Sequence, residues 1–205
     1  MAKQVQPEEE IFVAPGITEN MDSNGKLVIT DDSTGKSLNP NKIDDKIIIL
    51  EKQVNGWFLE RATEILELEN EDNGFVVLMI ATTYIEGIEQ LRRGRSSEKN
   101  SGEFFKNGLT RIFGEENFRE DNLDNLHREL RCGLFHNGMT GPNIRIHSSF
   151  NEPIKFTDLN TIEINQTQFL NKVKEDFKKY LGDLRNRENN ELRNNFDIMY
   201  KFTNT

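Results

Sequence analysis

Residues 75–91 read FVVLMIATTYIEGIEQL, and this stretch decides the fold class. Its first two turns are apolar almost all round, the pattern of a helix buried at the centre of a helical bundle. It follows the break Asp72-Asn73-Gly74 and runs into the basic cluster Arg92, Arg93 and Arg95. Its longest apolar run, residues 75–81, is far short of the roughly 20 residues that cross a bilayer. The amino terminus MAKQVQPEEE lacks the apolar core of a signal peptide. The expectation is a cytoplasmic protein with no membrane association.

On the amino-terminal side, Leu50, Val54, Trp57, Phe58, Ala62, Ile65 and Leu66 form one stripe at helical spacing, which places Trp57 and Phe58 in the core. Asn55-Gly56 would ordinarily mark a turn, but the unbroken stripe outweighs it at a helix cost of about 1 kcal/mol for the glycine. On the carboxyl-terminal side, Ser101 precedes a short amphipathic helix through Phe104, Phe105, Leu109, Ile112 and Phe113, closed by Gly114. Asn122 reads as the N-cap of a helix through Leu123, Leu126, Leu130, Leu134 and Phe135 that runs into Asn137-Gly138. A long helix follows over 168–184, with Phe177 and Tyr180 in its apolar stripe, and a weaker one covers 191–201.

Two regions read as β. Residues 1–40 form an acidic, turn-rich extension in which Asn24-Gly25 and Thr34-Gly35 flank one short apolar run, a single strand or small hairpin. Residues 140–165 carry short alternating runs around Ile144, Ile154 and Ile162 that suggest a small β-hairpin insertion. The expected fold is therefore all-α: a helical bundle of five or six helices over 41–205, with the hairpin inserted and the β-containing extension appended.

The chain has 205 residues, enough for one domain with a real core. Mean hydropathy is −0.69, polar for a globular protein, but the apolar residues recur periodically rather than scatter, so the chain should fold. There are 26 Lys and Arg against 35 Asp and Glu, a net charge of −9, which disfavours a general nucleic-acid coat. The single Cys132 excludes an internal disulfide, three dispersed His give no zinc pattern, and no glycine-rich phosphate loop occurs. No metal and no cofactor is expected.

Residues 129–138 read ELRCGLFHNG. A guanidinium and an imidazole, Arg131 and His136, stand five residues apart in an otherwise apolar helix end. Either group buried alone is costly, so each needs a polar partner, a cleft or a subunit interface. On a straight α-helix they lie roughly 140° apart and line two sides of a groove, unless the helix is distorted near Gly133. Glu86, in the buried helix, is either a partner for such a cation or a solvent-facing residue beside Glu89 and Gln90. Cys132 and His136 are spaced to share a helix face, but no orienting acid or oxyanion donor accompanies them, so a structural thiol is the simpler reading. His127 reads as a surface residue of the same helix, and His147 belongs to the hairpin. Arg92, Arg93 and Arg95, with Lys99, are either a solvated helix end, favoured by the helix dipole, or a phosphate-backbone contact.

The arginine, four intervening residues and histidine, on a late helix after a buried one, resemble the signature of the HEPN superfamily. The order of elements over 43–184 is similar as well. The resemblance implies a HEPN-like bundle acting as a homodimer, with the two motifs facing each other across a cleft. Catalytic members are metal-independent endoribonucleases of the defence or toxin type. On that pattern His136 is the general base or acid at a ribose 2′-hydroxyl, and Arg131 holds the scissile phosphate. Asn137, Glu86, Arg92, Arg93 and Arg95 are the substrate-binding candidates, and RNA is the implied partner. Active members usually carry Asn, Asp or His directly after the arginine, where this chain has Cys132. The competing expectation is a catalytically silent HEPN-like module that binds a protein partner or a nucleotide.

Overall fold

The computed structural model describes residues 11–22, 24–25, 27–68, 73–157 and 160–201. Residues 1–10 and Asp72, which enter the signal-peptide and turn readings above, lie outside these residues.

Helix α3 (Gly74–Arg93) is the centre of the molecule. Val77, Leu78, Ala81, Ile85 and Ile88 are buried along it, because 3.6-residue spacing turns them toward the surrounding helices. It packs against α2 (Glu60–Glu67), α4 (Ser101–Phe113), α6 (Gln166–Arg185) and α7 (Asn190–Met199). By length and composition α3 would also pass as a membrane span, yet half of its apolar window is buried inside the protein. It ends at Gly94, whose φ of 64° is the left-handed C-cap that glycine adopts without a Cβ clash.

The all-α expectation is overturned, since the helices carry two sheets and the fold is mixed α and β. The first is a four-stranded antiparallel meander, β1 (Ile11–Ala14), β2 (Ile17–Met21), β3 (Leu27–Asp31) and β4 (Lys36–Leu38), in that order. Gly16, Gly25 and Gly35 occupy its turns, all with positive φ. It is built into the body: Val13, Ala14, Ile17, Ile29 and Leu38 close over Ile49 of helix α1 (Ile43–Gln53). Gly56 lets Pro15 approach so closely that a Cβ there would sit 2.5 Å from Pro15 Cγ. The second sheet orders as β5–β7–β6, from β5 (Ile144–Ile146), β6 (Ile154–Phe156) and β7 (Ile162–Ile164). Only β6 and β7 make the expected antiparallel hairpin, and β5 pairs with β7 in parallel. The 3.6 and 2.0 periodicities of helix and strand are both local, whereas a parallel pair is made by chain excursion and leaves no local mark.

The stripe over 50–66 is not one α-helix. Between α1 and α2 the chain makes a π-helical turn, Val54–Leu59, with i→i+5 bonding. The widened turn carries Leu59 and Ala62 into the core and leaves Trp57 and Phe58 45% and 41% exposed, so the core placement of those two is corrected. Phe177 and Tyr180 are fully buried. The helix preceding the Arg-His motif, α5 (Glu120–Leu126), starts two residues before Asn122 and has Arg119 rather than Asn122 at its N-cap. Helix α4 has Asn100 rather than Ser101 at its N-cap, with Ser101 its first residue, and it stops at Gly114 as its composition indicates.

Candidate functional site

The Arg-His motif lies in a second π-helical stretch, His127–Asn137, that continues α5 and ends at Gly138 in the left-handed conformation. Leu130 and Leu134 face the core and anchor it, with exposures of 0% and 1%. Gly133 is buried because the returning chain crosses over it: Met139 N donates to Gly133 O at 3.3 Å and Gly141 N donates to Glu129 O at 2.7 Å. The i→i+5 ladder sets residues five apart beside one another along the helix, so Arg131 and His136 share a side instead of diverging by an α-helical 140°. The distortion near Gly133 is therefore present, and it converts the two-sided arrangement into a one-sided one.

Arg131 is pinned. Its Nη2 and Nε donate to Glu86 Oε2 at 2.9 and 3.1 Å, and Glu86 Oε1 accepts from Ser97 Oγ at 2.6 Å. The two side chains are 17% and 15% exposed, so the pair is shielded without being sealed. The guanidinium lies over the Phe135 ring, 4.9 Å from its centroid. Nη1 of Arg131 makes no hydrogen bond among the described residues, which leaves one edge of the fork free for an oxyanion. His136 and Asn137, the last two residues of the π-helical stretch, are exposed. Phe135 and Met139, 43% and 58% exposed, give this surface an apolar margin.

Cys132 meets His127, with Sγ 3.6 Å from Nε2. His127 is half-buried rather than a surface residue: it fills the space over Gly102 and its ring centroid lies 6.0 Å from that of Phe105. Burial, and secondarily the charges of Arg131 and Lys106, hold its pKa below the ordinary value, so it sits neutral against the thiol. His147 is exposed at the end of β5, with Nδ1 2.7 Å from Ser149 Oγ.

The basic cluster does not gather into one patch. Arg93 Nε donates to Glu89 at 2.7 Å and Nη1 to Glu103 at 2.8 Å, and Arg95 donates to the same Glu103 oxygen at 3.0 Å. Arg93 and Arg95 both stack on Phe104. Arg92 points the other way, over the Tyr180 ring at 4.7 Å and toward Asp176. Of the substrate-binding candidates, Glu86 bonds Arg131 directly and Asn137 ends the motif helix, whereas the three arginines make their hydrogen bonds and ion pairs to Glu89, Glu103 and Asp176 and none to Arg131 or His136 among the described residues. Sequence reasoning missed Ser97, Glu103, Arg111 and Asp176. The i,i+4 spacing of Glu89 and Arg93, and a lone carboxylate at 176 inside the stripe Val173-Phe177-Tyr180, are the signals that point to part of this network.

Among the described residues no three His, Cys, Asp or Glu side chains are grouped to hold a metal. The arrangement offers proton transfer at His136 and charge stabilisation at Arg131. No protein-family model, no curated protein and no solved structure matches the chain.

Proposed function

We propose that the protein is a metal-independent endoribonuclease of the HEPN-like type, cytoplasmic and active as a homodimer. The observation that carries this reading is the π-helical placement of an exposed His136 on the same side as Arg131, whose Nη1 edge is free. In the reaction, the His136 imidazole accepts the ribose 2′-hydroxyl proton and the 2′-oxygen attacks phosphorus. The bond to the 5′-oxygen breaks, and that oxygen takes up a proton. Arg131 balances the charge that builds on the phosphoryl oxygens, held ready by Glu86 and Phe135 so that little reorganisation is needed. The products are a 2′,3′-cyclic phosphate and a 5′-hydroxyl. The exposed Phe135 and Met139 supply the apolar contact through which a second copy would bring its own motif opposite.

An RNA carrying a single 2′-deoxy residue at the scissile position tests this chemistry. Cleavage of the all-ribose strand and none at the deoxy position supports it. Equal cleavage of both removes the 2′-oxygen from the mechanism.

A second reading has its own observation. Glu86 already neutralises Arg131, and Cys132, next to it, is engaged by His127, so the motif also suits a silent module that binds a protein partner. A folded dimer with no activity on RNA, and with Arg131→Ala reducing its stability, would favour that reading.

A further inference from the structure

On another side of α3 from the motif, charged groups close a cleft of about 280 Å³ between the end of α3, α4 and α6. At its base Arg111 bridges Glu89 and Asp176, and Asp176 also accepts from Tyr84 Oη at 2.7 Å. Arg93 holds the other oxygen of Glu89, and Arg92 approaches Asp176 no closer than 4.0 Å. Four cationic side chains line the cleft, Arg92, Arg111, Lys172 and Lys179, against three carboxylates, Glu175, Asp176 and Asp183, which leaves one positive charge in excess. Two donors of the lining residues, Arg92 Nε and Arg111 Nη2, lack an acceptor among the described residues, as does the hydroxyl of the buried Tyr180, whose ring Arg92 covers. Buried donors without acceptors are costly and rarely left so. Lys172 and Lys179 stand at the rim, where Lys172 is engaged by Glu175 at 3.1 Å, and Asp183 completes the lining.

We propose that this cleft binds a phosphate monoester on a small organic molecule. The positive excess calls for an anion. Basic side chains line the cleft from three helices, Arg92 from α3, Arg111 from α4 and Lys179 from α6, which suits a tetrahedral oxyanion better than a planar carboxylate served by one fork. The volume exceeds a bare phosphate and lies just below the range of ordinary ligand pockets, leaving room for a short organic group. The site is independent of the Arg131-His136 surface and of the nuclease reading.

The test is calorimetric titration of the full chain with glycerol 3-phosphate, orthophosphate and acetate, each as the sodium salt. The expected result is saturable one-to-one binding of glycerol 3-phosphate, at least as tight as orthophosphate and tighter than acetate. Lys179→Gln, an exposed change that leaves the base intact, should weaken it about tenfold, the loss of one charge-assisted contact. Arg92→Gln should weaken it further, and His136→Ala should leave it unchanged. The proposal is overturned by an absence of saturable binding, by binding that Lys179→Gln leaves intact, by a preference for acetate, or by orthophosphate binding alone. Binding lost in His136→Ala would assign the anion to the motif instead and overturn it equally.

Discussion

Gly133→Ala and Gly87→Ala are the same chemical change in two helical settings, and the structure gives them opposite signs. In an open helix, replacing Gly by Ala gains about 1 kcal/mol of helix propensity. A Cβ on Gly87, in the interior of α3, would meet nothing within 4 Å, so that gain should be realised in full. A Cβ on Gly133 would sit 2.7 Å from Met139 O, 3.1 Å from Gly141 N and 3.2 Å from Thr140 Cα. These are backbone atoms, one of them, Gly141 N, held by its hydrogen bond to Glu129 O, and Met139 is tied through its own N–H to Gly133 O, so they cannot swing aside as a side-chain tip would. Overpacking against backbone at 2.7 Å falls in the upper part of the usual range, about 2–3 kcal/mol, which exceeds the propensity gain and leaves a net loss of about 1–2 kcal/mol. The two variants should therefore differ by about 2–3 kcal/mol, equivalent to about 5–10 °C in Tm for a chain of this size. Urea denaturation of both variants and the wild type, with unchanged slopes, measures the difference. If Gly133→Ala is as stable as wild type or more so, residues 139–141 do not cross the motif helix as described, and the reasoning about the π-helical geometry fails.

Glu86→Gln keeps the size of the side chain but removes the charge facing Arg131; with the pair at 15–17% exposure, a loss of about 1–2 kcal/mol is expected in urea unfolding, and an effect under about 0.3 kcal/mol would mean the pair does not hold the helix. His127, whose pKa is lowered in the fold by burial, takes up its proton at lower pH than in the unfolded chain, where 6.5 is the ordinary value. The unfolded state then binds more protons as pH falls below about 6.5, so its contribution is fully present above that pH and declines beneath it. Unfolding midpoints at about pH 7.5 and pH 5.5 should show a drop that is smaller in His127→Gln, and an equal drop in both proteins would refute the assignment. Ile49→Ala, at 0% exposure between α1 and the amino-terminal sheet, should cost about 2–5 kcal/mol, whereas a loss below about 1 kcal/mol would mean that the sheet is only loosely attached.

The long helices were legible because their apolar spacing is local: α3 and α6 can be read residue by residue. The sheets were only half legible. The amino-terminal strand Ile17–Met21 reads ITENM, whose inward residues are too few to stand out in an acidic stretch, and the four-stranded meander shrank to a single strand or hairpin on paper. What makes it structural is the burial of Ile29 and Leu38 over Ile49, a contact between distant parts of the chain. The π-helical turns leave no compositional mark beyond Gly56 and Gly133, yet they decide that Trp57 and Phe58 face solvent and that Arg131 and His136 share a side. At the site, an unpaired charge in an apolar helix announced that Glu86 and Arg131 each needed a partner. Arg131 or another cation was the partner expected for Glu86, beside a solvent-facing alternative, and the packing selects Arg131, 45 residues away.

The central claim, that Arg131 and His136 cleave RNA without a metal, is met most directly by incubating a mixed RNA pool in EDTA with wild type, Arg131→Ala and His136→Ala, after circular dichroism and sizing of all three. The account predicts cleavage by the wild-type dimer that leaves 2′,3′-cyclic phosphate ends and disappears in both folded variants. Absence of cleavage by the wild type, or cleavage that survives both substitutions, would contradict it.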